Sequence, residues 1–296
     1  MVATNHDRLV TMSVQGNVVS PGYPGIPAIP HQIDHEGRPR LLPALGGIVY
    51  NVRLGDSVYG WAGDNIEPGV AIKSPEGPAN QALNVFACVG NQAVVMSGNA
   101  KGAIGTVTGK SGRFAEHVIL AFPPDVLDRL AIGDKINVRA CGVGMTVRDY
   151  PGVKLKSLSP PLLESMRIEE NDQKLTVPVK AVVPPELVGA GSGLTSESGA
   201  ICIQSMDRNA LQRHGLDALR LGDIVALADY DSAWGHGYRK GSVGIGVVSS
   251  TDSIKAGYGP GVTLLMTAPD GEIDPMVMDR VNLVDLLGID VGGAKA

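Results

Sequence analysis

The chain has 296 residues with a formal net charge of −5, 39 glycines, 20 prolines and an aromatic content of only 4%. Its hydrophobic content of 44% excludes a disordered chain, because it is enough for a large buried core. The negative net charge and the scattered basic residues argue against a nucleic-acid partner. No run of about 18 apolar residues occurs, so we expect no membrane span.

The cysteines indicate a reducing compartment. Cys88, Cys141 and Cys202 are odd in number, far apart and set in apolar runs, which predicts buried thiols rather than disulfides. Residues 1–7 contain no basic segment followed by an apolar core, so we expect no signal peptide. The sequence therefore predicts a cytoplasmic protein.

The predicted elements give a mostly-β (α+β) fold of two β-rich domains with a few short helices. The first domain covers residues 1–145. In it, a Pro-rich arm over residues 20–45 precedes several apolar segments. These segments predict strands, among them 57–62, 82–89 and 115–120.

A connector over residues 146–180 holds further prolines and a charged run, and the second domain covers residues 181–296. Short helices are expected in this domain over roughly 207–219, with a break at Gly215, and over 278–287.

Three Gly–Asp pairs precede predicted strands. Leu127–Asp134 and Leu216–Asp223 share the pattern Leu-Asp-x-Leu-x-(Ile/Leu)-Gly-Asp, and Arg53–Asp56 repeats its last part. Each final aspartate is expected to close a turn through its own side chain and not to act in catalysis.

Residues 92–109 resemble a KOW element, the strand–loop–strand of small SH3-like barrels in ribosomal and transcription proteins. The likeness rests on an apolar strand followed by Ser97-Gly98, Lys101-Gly102, Gly105 and the returning Val107. It implies a small barrel over about 90–143, with RNA or a protein as an alternative partner. The basic residues in and beside this segment are few: Lys101, Lys110 and Arg113. The segment therefore favours a barrel more than RNA binding.

Over nearly its whole length the chain resembles an uncharacterised bacterial and archaeal family of two-domain β proteins, known as a domain of unknown function. The resemblance rests on residues 47–56, 87–91, the KOW-like loop and residues 257–263. It implies a mostly-β fold and supplies no activity. The Gly–Asp turns also resemble those of acetamidase/formamidase-type amide hydrolases, although the metal-site motif of that family is not visible in this sequence.

The most concentrated polar side chains lie over residues 226–261, between two glycine-rich turns. Asp229 and Asp231 follow an apolar strand, and in a regular strand both would point to one face. With His236 from the following loop they could hold a divalent metal ion, which would lower the pKa of a bound water. The alternative is that the aspartates cap a surface turn and that His236 is solvated.

The same segment contains candidate substrate-binding residues: Tyr238, Arg239 and Lys240. Arg239 is suited to pairing with a carboxylate through two hydrogen bonds, and Lys240 would add positive charge. The alternative is a charged hairpin tip in solvent.

Asp64 and Glu67 fall in a loop after a predicted strand and are candidates for a general base or for further metal ligands. The alternative is that both carboxylates are solvated. His117 is expected to be a half-buried strand residue, and Cys88 a buried structural thiol. The glycine-rich segment 189–199 predicts a loop at the rim of a site.

These features predict a metal-assisted hydrolase of a small amide-, lactam- or lactone-like molecule, with its site between the two domains. In this hypothesis Asp229, Asp231 and His236 bind the metal, and Glu67 or Asp64 activates water together with His236. Tyr238, Arg239 and Lys240 bind the substrate. The alternatives are a non-catalytic RNA- or protein-binding module that uses the KOW-like barrel, and a small-ligand-binding oligomer. A homo-oligomer is expected.

Overall fold

The computed structural model describes residues 2–22, 31–112, 116–197 and 199–292. Residues 23–30 of the predicted Pro-rich arm lie outside these ranges, as do Arg113, the first residue of the predicted strand 115–120, and Ser198 of the predicted rim loop. The described chain is mostly β with short helices, which confirms the predicted fold class.

The strands in chain order are β1 (Met12–Val18), β2 (Gln32–Ile33), β3 (Pro39–Arg40), β4 (Ile48–Val49), β5 (Gly69–Lys73), β6 (Gln92–Val95), β7 (Ile104–Ser111), β8 (His117–Ala121), β9 (Lys135–Ala140), β10 (Lys154–Leu155), β11 (Glu169–Asn171), β12 (Lys174–Val179), β13 (Ala181–Val183), β14 (Ile201–Cys202), β15 (Ile224–Asp231), β16 (Gly237–Val248), β17 (Gly261–Ala268) and β18 (Ile273–Val277). The α-helices are α1 (Gly77–Phe86), α2 (Pro124–Leu127), α3 (Pro160–Ser165), α4 (Arg208–Arg213) and α5 (Leu283–Leu287).

Six strands of the first half close into a barrel in the order β1, β9, β6, β7, β8 and β5. Pairing of Asn17 with Lys73 and of Val18 with Ile72 joins β5 back to β1, so the barrel leaves no free edge among these strands. Apolar side chains such as Ile136 fill its interior. The KOW-like segment forms the hairpin β6–β7 of this barrel, as its resemblance implies.

The second half is built on a larger antiparallel sheet in the order β10, β17, β16 and β15, with β13 added parallel to β15. A separate sheet pairs β12 with β11 and, in parallel, with β18. The predicted connector, residues 146–180, thus contributes β10, α3, β11 and β12 to the second half. A continuous apolar core joins this half to barrel-side residues such as Val58 and Val89.

Two predicted strands are wrong. Residues 82–89, read from their apolar run as a strand, belong largely to α1, where Pro78 lies in the first turn. Asn80, Leu83 and Asn84 form the buried face of this helix, at the three- and four-residue spacing of a helix. Residues 57–62 form turns and an isolated bridge instead of a strand.

The helices predicted in the second half are shorter than expected. Only Arg208–Arg213 is helical within 207–219, capped by the Asp207 side chain, and Gly215 follows with a φ of 65° as the expected break. Within 278–287 only Leu283–Leu287 is helical.

The Gly–Asp turns are confirmed. In each one the carboxylate accepts a hydrogen bond from the backbone N–H three residues earlier, at 2.8 Å for Asp56, 2.9 Å for Asp134 and 2.8 Å for Asp223. These aspartates therefore hold turns ahead of strands.

The two halves meet along the segment Asp64–Glu67. The side-chain amide of Asn65 donates to the carbonyls of Thr251 (3.1 Å) and Gly259 (2.8 Å), and the N–H of Ile66 donates to the hydroxyl of Thr251 (2.9 Å). Asn65 has a φ of 51°, a left-handed conformation that asparagine tolerates better than most residues. This docking holds the segment between the barrel and the second half. No described helix has the length and apolar character needed to cross a membrane.

Candidate active site

A cleft of about 730 Å³ lies between the two halves, beside the docked segment. The barrel half lines it with residues that include Asp64, Ser111 and His117, and the second half with residues that include Lys255 and Tyr258. Its size falls within the range of small-molecule sites, and polar side chains from both halves reach it.

The strongest polar arrangement in the cleft wall joins Glu67 to His117. Nδ1 of His117 lies 3.0 and 3.1 Å from the two carboxylate oxygens of Glu67. The same carboxylate accepts a hydrogen bond from the backbone N–H of Gly46 at 2.8 Å and another from the hydroxyl of Ser111. Three donors thus converge on one buried carboxylate and satisfy its acceptor oxygens.

Glu67 reaches the histidine from a segment outside the strand ladder. It lies just before Gly69, where β5 begins, and the antiparallel register places this start beside the end of β8, whereas His117 begins β8. The carboxylate is held there by the backbone N–H of Gly46. Gly69 has a φ of 78°, and a Cβ there would lie 2.4 Å from the carbonyl oxygen of Leu120 in β8. A glycine at this position therefore allows the close approach of the two strands.

The geometry sets the tautomer of His117. Because Nδ1 faces a carboxylate, it carries the proton, and Nε2 is left with a lone pair. Within the described residues, the ring's hydrogen bonds are all made at Nδ1. The His117 side chain is 11% exposed and Glu67 is 0% exposed, so the imidazole stands between the carboxylate and the cleft. This is how a general base is oriented.

A second ion pair lies in the same cleft. Nζ of Lys255 is 3.1 Å from Oδ2 of Asp64, and Oδ1 of Asp64 accepts hydrogen bonds from the hydroxyl of Ser253 (2.5 Å) and the N–H of Ile254 (3.3 Å). The pair links a barrel-half carboxylate to a lysine of the second half.

Behind the cleft, Lys110 is fully buried where β7 meets the second half. Its ammonium donates to the hydroxyl of Ser157 (2.7 Å) and to the carbonyl of Glu197 (2.6 Å). The Glu197 carboxylate pairs in turn with Lys156 at 2.6 Å. Burial lowers the pKa of Lys110 to about 8, because the charged form is poorly solvated there.

The two aspartates of the predicted metal site each cap a different backbone N–H group. The ladder between β15 and β16 shifts register between Ala228 and Tyr230, and Asp229 in this bulge has a φ of 53°. Its carboxylate caps the N–H of Gly241 at 2.7 Å, while that of Asp231 caps the N–H of Ala233 at 2.9 Å. The regular strand that would place both on one face is therefore interrupted.

The surroundings of His236 differ from those of the two aspartates. It is buried, with Nδ1 3.1 Å from the hydroxyl of Ser232, and Nε2 has no hydrogen-bond partner among the residues that the structure describes. Burial lowers its pKa to about 4. Neither it nor the two aspartates lines the cleft. Across the described ranges, no three His, Cys, Asp or Glu side chains cluster closely enough to hold a metal ion.

The predicted substrate-binding residues occupy the β16 hairpin surface. Arg239 pairs with Asp270 at 2.7 Å and lies 3.9 Å from Asp231, whereas Tyr238 and Lys240 are exposed. The structure places none of the three in the cleft wall. Asp64 lines the cleft and Glu67 contacts His117, so both predicted catalytic carboxylates belong to the cleft region, which His236 does not line.

His117 is the residue whose position the sequence does not reveal. Every residue of β8 is buried, so alternation along the strand gives no sign that its first residue faces a cleft. The available signal was a histidine at a strand start, next to a glycine-containing loop. Cys88 is buried as expected, and burial raises its pKa to about 11.

The chain matches one protein family over most of its length. Residues 31–164 match the N-terminal domain of unknown function DUF4438, and residues 165–287 match the C-terminal DUF4438 domain. The chain belongs to this family. Among solved structures, the DUF4438 chain is similar to the crystal structure of TM1086, with 41% identity and a TM-score of 0.90 over 96% of this chain and 98% of that one. No curated protein matches the chain.

Proposed function

We propose that this DUF4438 protein is a hydrolase of a small amide-, lactam- or lactone-like molecule, which binds in the cleft between the two halves. The observation that carries the proposal is the pair of Glu67 and His117, in which a buried carboxylate orients an imidazole at the cleft wall. Histidine is the side chain best suited to move protons at physiological pH, because its imidazole can both accept and donate one.

The reaction follows from the tautomer. Nε2 of His117 removes a proton from a water molecule in the cleft, and the water oxygen forms a bond to the carbonyl carbon of the substrate. As the tetrahedral intermediate collapses, the C–N or C–O bond breaks and the imidazolium returns the proton to the leaving nitrogen or oxygen. The products are a carboxylic acid and an amine or alcohol, so one water is consumed and the base is regenerated.

Glu67 acts through His117 in this scheme. Its carboxylate accepts the Nδ1–H bond, keeps the tautomer and stabilises the positive charge that forms on the ring. Ser111 donates its hydroxyl hydrogen to Glu67, so it supports the carboxylate and does not serve as the nucleophile. We therefore assign His117 as the catalytic base and Glu67 as a positioning residue.

The divalent metal predicted on Asp229, Asp231 and His236 stays a separate prediction. Its test is elemental analysis of untagged protein purified without chelators. Stoichiometric metal that is lost in Asp231→Asn would support the metal-assisted form of the hypothesis. Metal-free protein that hydrolyses its substrate at the full rate would favour the proton-transfer scheme alone.

The test of the proposed function is a screen of wild-type protein against small esters, lactones and amides, repeated with His117→Ala. His214→Ala is the matched control, because His214 is an exposed histidine outside the cleft. We expect hydrolysis that His117→Ala lowers by about 10²–10⁴-fold, the usual contribution of a general base. Hydrolysis that survives His117→Ala unchanged would contradict the proposal.

The RNA- or protein-binding alternative, the cytoplasmic location and the homo-oligomer also remain predictions. Salt-dependent RNA binding in place of hydrolysis would favour the module that uses the KOW-like barrel. Fractionation of cells would test the cytoplasmic location, and light scattering would test the homo-oligomer.

A further inference from the structure

The two buried carboxylates of the cleft share one arrangement. The side chain of Glu67 is 0% exposed and that of its partner His117 is 11% exposed, while Asp64 is 2% exposed and its partner Lys255 is 31% exposed. In each pair the nitrogen-bearing side chain is the more exposed member, and Asp64, His117 and Lys255 line the cleft, whereas Glu67 is not among the lining residues. Each carboxylate therefore holds a nitrogen group at the cleft wall.

Both oxygens of Asp64 are engaged in this arrangement. Oδ1 accepts from the hydroxyl of Ser253 and the N–H of Ile254, and Oδ2 contacts Lys255 at 3.1 Å. A carboxylate held on every side by the protein is a fixed counter-charge. It holds the Lys255 ammonium in one place and saves part of the entropy that a free lysine loses on binding a ligand.

The Lys255 ammonium also contacts an aromatic ring. It lies over the Tyr258 ring, 5.9 Å from the ring centroid, and Tyr258 also lines the cleft. Among the described lining residues, Lys73 is the second lysine, and its partner is different. It pairs with Glu116 at 3.0 Å, and the two side chains are almost equally exposed, at 40% and 39%, so that pair presents both signs of charge.

We propose that Lys255 binds an anionic group of the substrate, so that the substrate class is a small amide, lactam or lactone that also carries a carboxylate or a phosphate. This inference rests on the proposed function of the cleft. His117 from the barrel half acts at the carbonyl, and Lys255 from the second half anchors the charged end. A lysine acts as a point charge and binds either anion. Because the charge is held in a fixed position, it favours an anionic substrate over a neutral analogue.

The first experiment measures binding and needs no turnover. The probes are succinate and inorganic phosphate, titrated calorimetrically at constant ionic strength into wild type, Lys255→Met and Lys255→Arg. Lys180→Met is the matched control, because Lys180 pairs with Asp279 at 2.9 Å, is 34% exposed, and lies outside the cleft. Unfolding midpoints of all variants check that each is folded.

We expect at least one of the two anions to bind wild type, and Lys255→Met to weaken that affinity by about tenfold or more, as for a lost charge-assisted hydrogen bond. Lys255→Arg keeps the charge and is expected to retain most of the affinity, and Lys180→Met to retain all of it. The anion that binds more tightly identifies the carboxylate or the phosphate. If neither anion binds wild type, or if Lys255→Met binds both as wild type does, the inference is overturned.

The second experiment separates this inference from the proposed function. Mono-4-nitrophenyl succinate carries a free carboxylate and 4-nitrophenyl acetate does not. The ratio of kcat/KM for the charged ester over the neutral one is expected to fall about tenfold in Lys255→Met and to keep its wild-type value in Lys180→Met. An unchanged ratio in Lys255→Met overturns the inference while hydrolysis stands. Hydrolysis that is independent of His117 overturns the proposed function and leaves the calorimetric result to decide the anion site.

Discussion

Glu67 and His117 are fifty residues apart in sequence, and in the folded chain the carboxylate of Glu67 contacts Nδ1 of His117 through both oxygens, at 3.0 and 3.1 Å. Antiparallel pairing places the start of β5 beside the end of β8, so Glu67, which precedes β5, contacts His117 at the start of β8 from outside this strand ladder. The barrel half thus supplies both members of the Glu67–His117 pair, and the second half completes the cleft around it.

Glu67→Gln tests the positioning role of the carboxylate. A glutamine amide can face Nδ1 with its NH₂ group, which would move the ring proton to Nε2 and remove the base. We expect kcat/KM to fall by about 100-fold or more, within the range of a lost or misoriented general base. Substrate affinity is expected to change little, because Glu67 is shielded from the cleft. Steady-state kinetics on a hydrolysed ester measures both quantities, and wild-type kcat/KM in Glu67→Gln would show that the contact has no catalytic role.

The lowered pKa of Lys110 predicts that the free energy of unfolding rises with pH. This pKa is about 8 in the folded chain, against the ordinary lysine value of 10.5. Between these values the unfolded chain binds more protons, so the free energy of unfolding contributed by Lys110 rises with pH, by about 3 kcal/mol over the whole window. Below pH 8 both states are charged and this contribution is flat.

The measurement for Lys110 is urea unfolding from pH 7 to pH 10 in wild type and in Lys110→Met. Cys88 acts in the opposite direction, because its raised pKa makes the folded chain bind more protons than the unfolded chain above pH 9. Both proteins are therefore compared in a Cys88→Ala background, because Lys110 itself lowers the pKa of Cys88 and the two contributions are coupled. Lys101→Met, which changes an exposed lysine, is the control and is expected to keep the wild-type slope. An equal slope in Lys110→Met would contradict the assignment.

The hydrogen bonds of Asn65 predict that docking of the two halves contributes measurably to the free energy of unfolding. Asn65→Ala removes both hydrogen bonds, to Thr251 and Gly259, and places alanine at a φ of 51°, so we expect a loss of about 2–4 kcal/mol of unfolding free energy. Asn65→Gly removes the same bonds without the strain and is expected to lose about 1 kcal/mol less than alanine. Denaturant unfolding of the two variants gives both numbers. Equal losses would show that the left-handed backbone costs alanine nothing here.

The lowered pKa of His236 predicts that the protein loses stability in mild acid. The pKa of the ring is lowered to about 4 from 6.5, so in this window the unfolded chain binds the proton and the folded chain does not. The stability that this histidine contributes is present above pH 6.5 and is lost as the pH falls towards 4, by about 3 kcal/mol in total. Unfolding of His236→Gln is expected to show a shallower dependence over pH 4–7 than wild type. NMR titration of the ring that gave a pKa near 6.5 would refute the prediction.

The fold class follows from composition, and the Gly–Asp turns follow from their repeat, because both depend on local backbone chemistry. The error at α1 has a physical cause. An apolar run that includes Leu83 and Val85 suits a buried strand and a buried helix equally, and Pro78 in the first turn decides for the helix. Such a run carries no period long enough to separate the two structures.

The candidate site was predictable in part. Asp64 and Glu67 stand out as carboxylates in a glycine- and proline-flanked loop, and both belong to the cleft region. Their nitrogen partners could not be found from the sequence, because the partnership depends on barrel closure for His117 and on docking of the second half for Lys255. The shared face expected for Asp229 and Asp231 is a different case. Close spacing along the chain indicates a shared face only in a regular strand, and a bulge breaks this strand.

The role of His117 as the catalytic base is tested by kcat/KM for ester hydrolysis by His117→Ala, measured beside wild type and the exposed-histidine variant His214→Ala. We expect a fall of about 10²–10⁴-fold in His117→Ala, with wild-type values in His214→Ala and with a cooperative unfolding transition in all three proteins. Equal kcat/KM in His117→Ala and wild type would contradict this role.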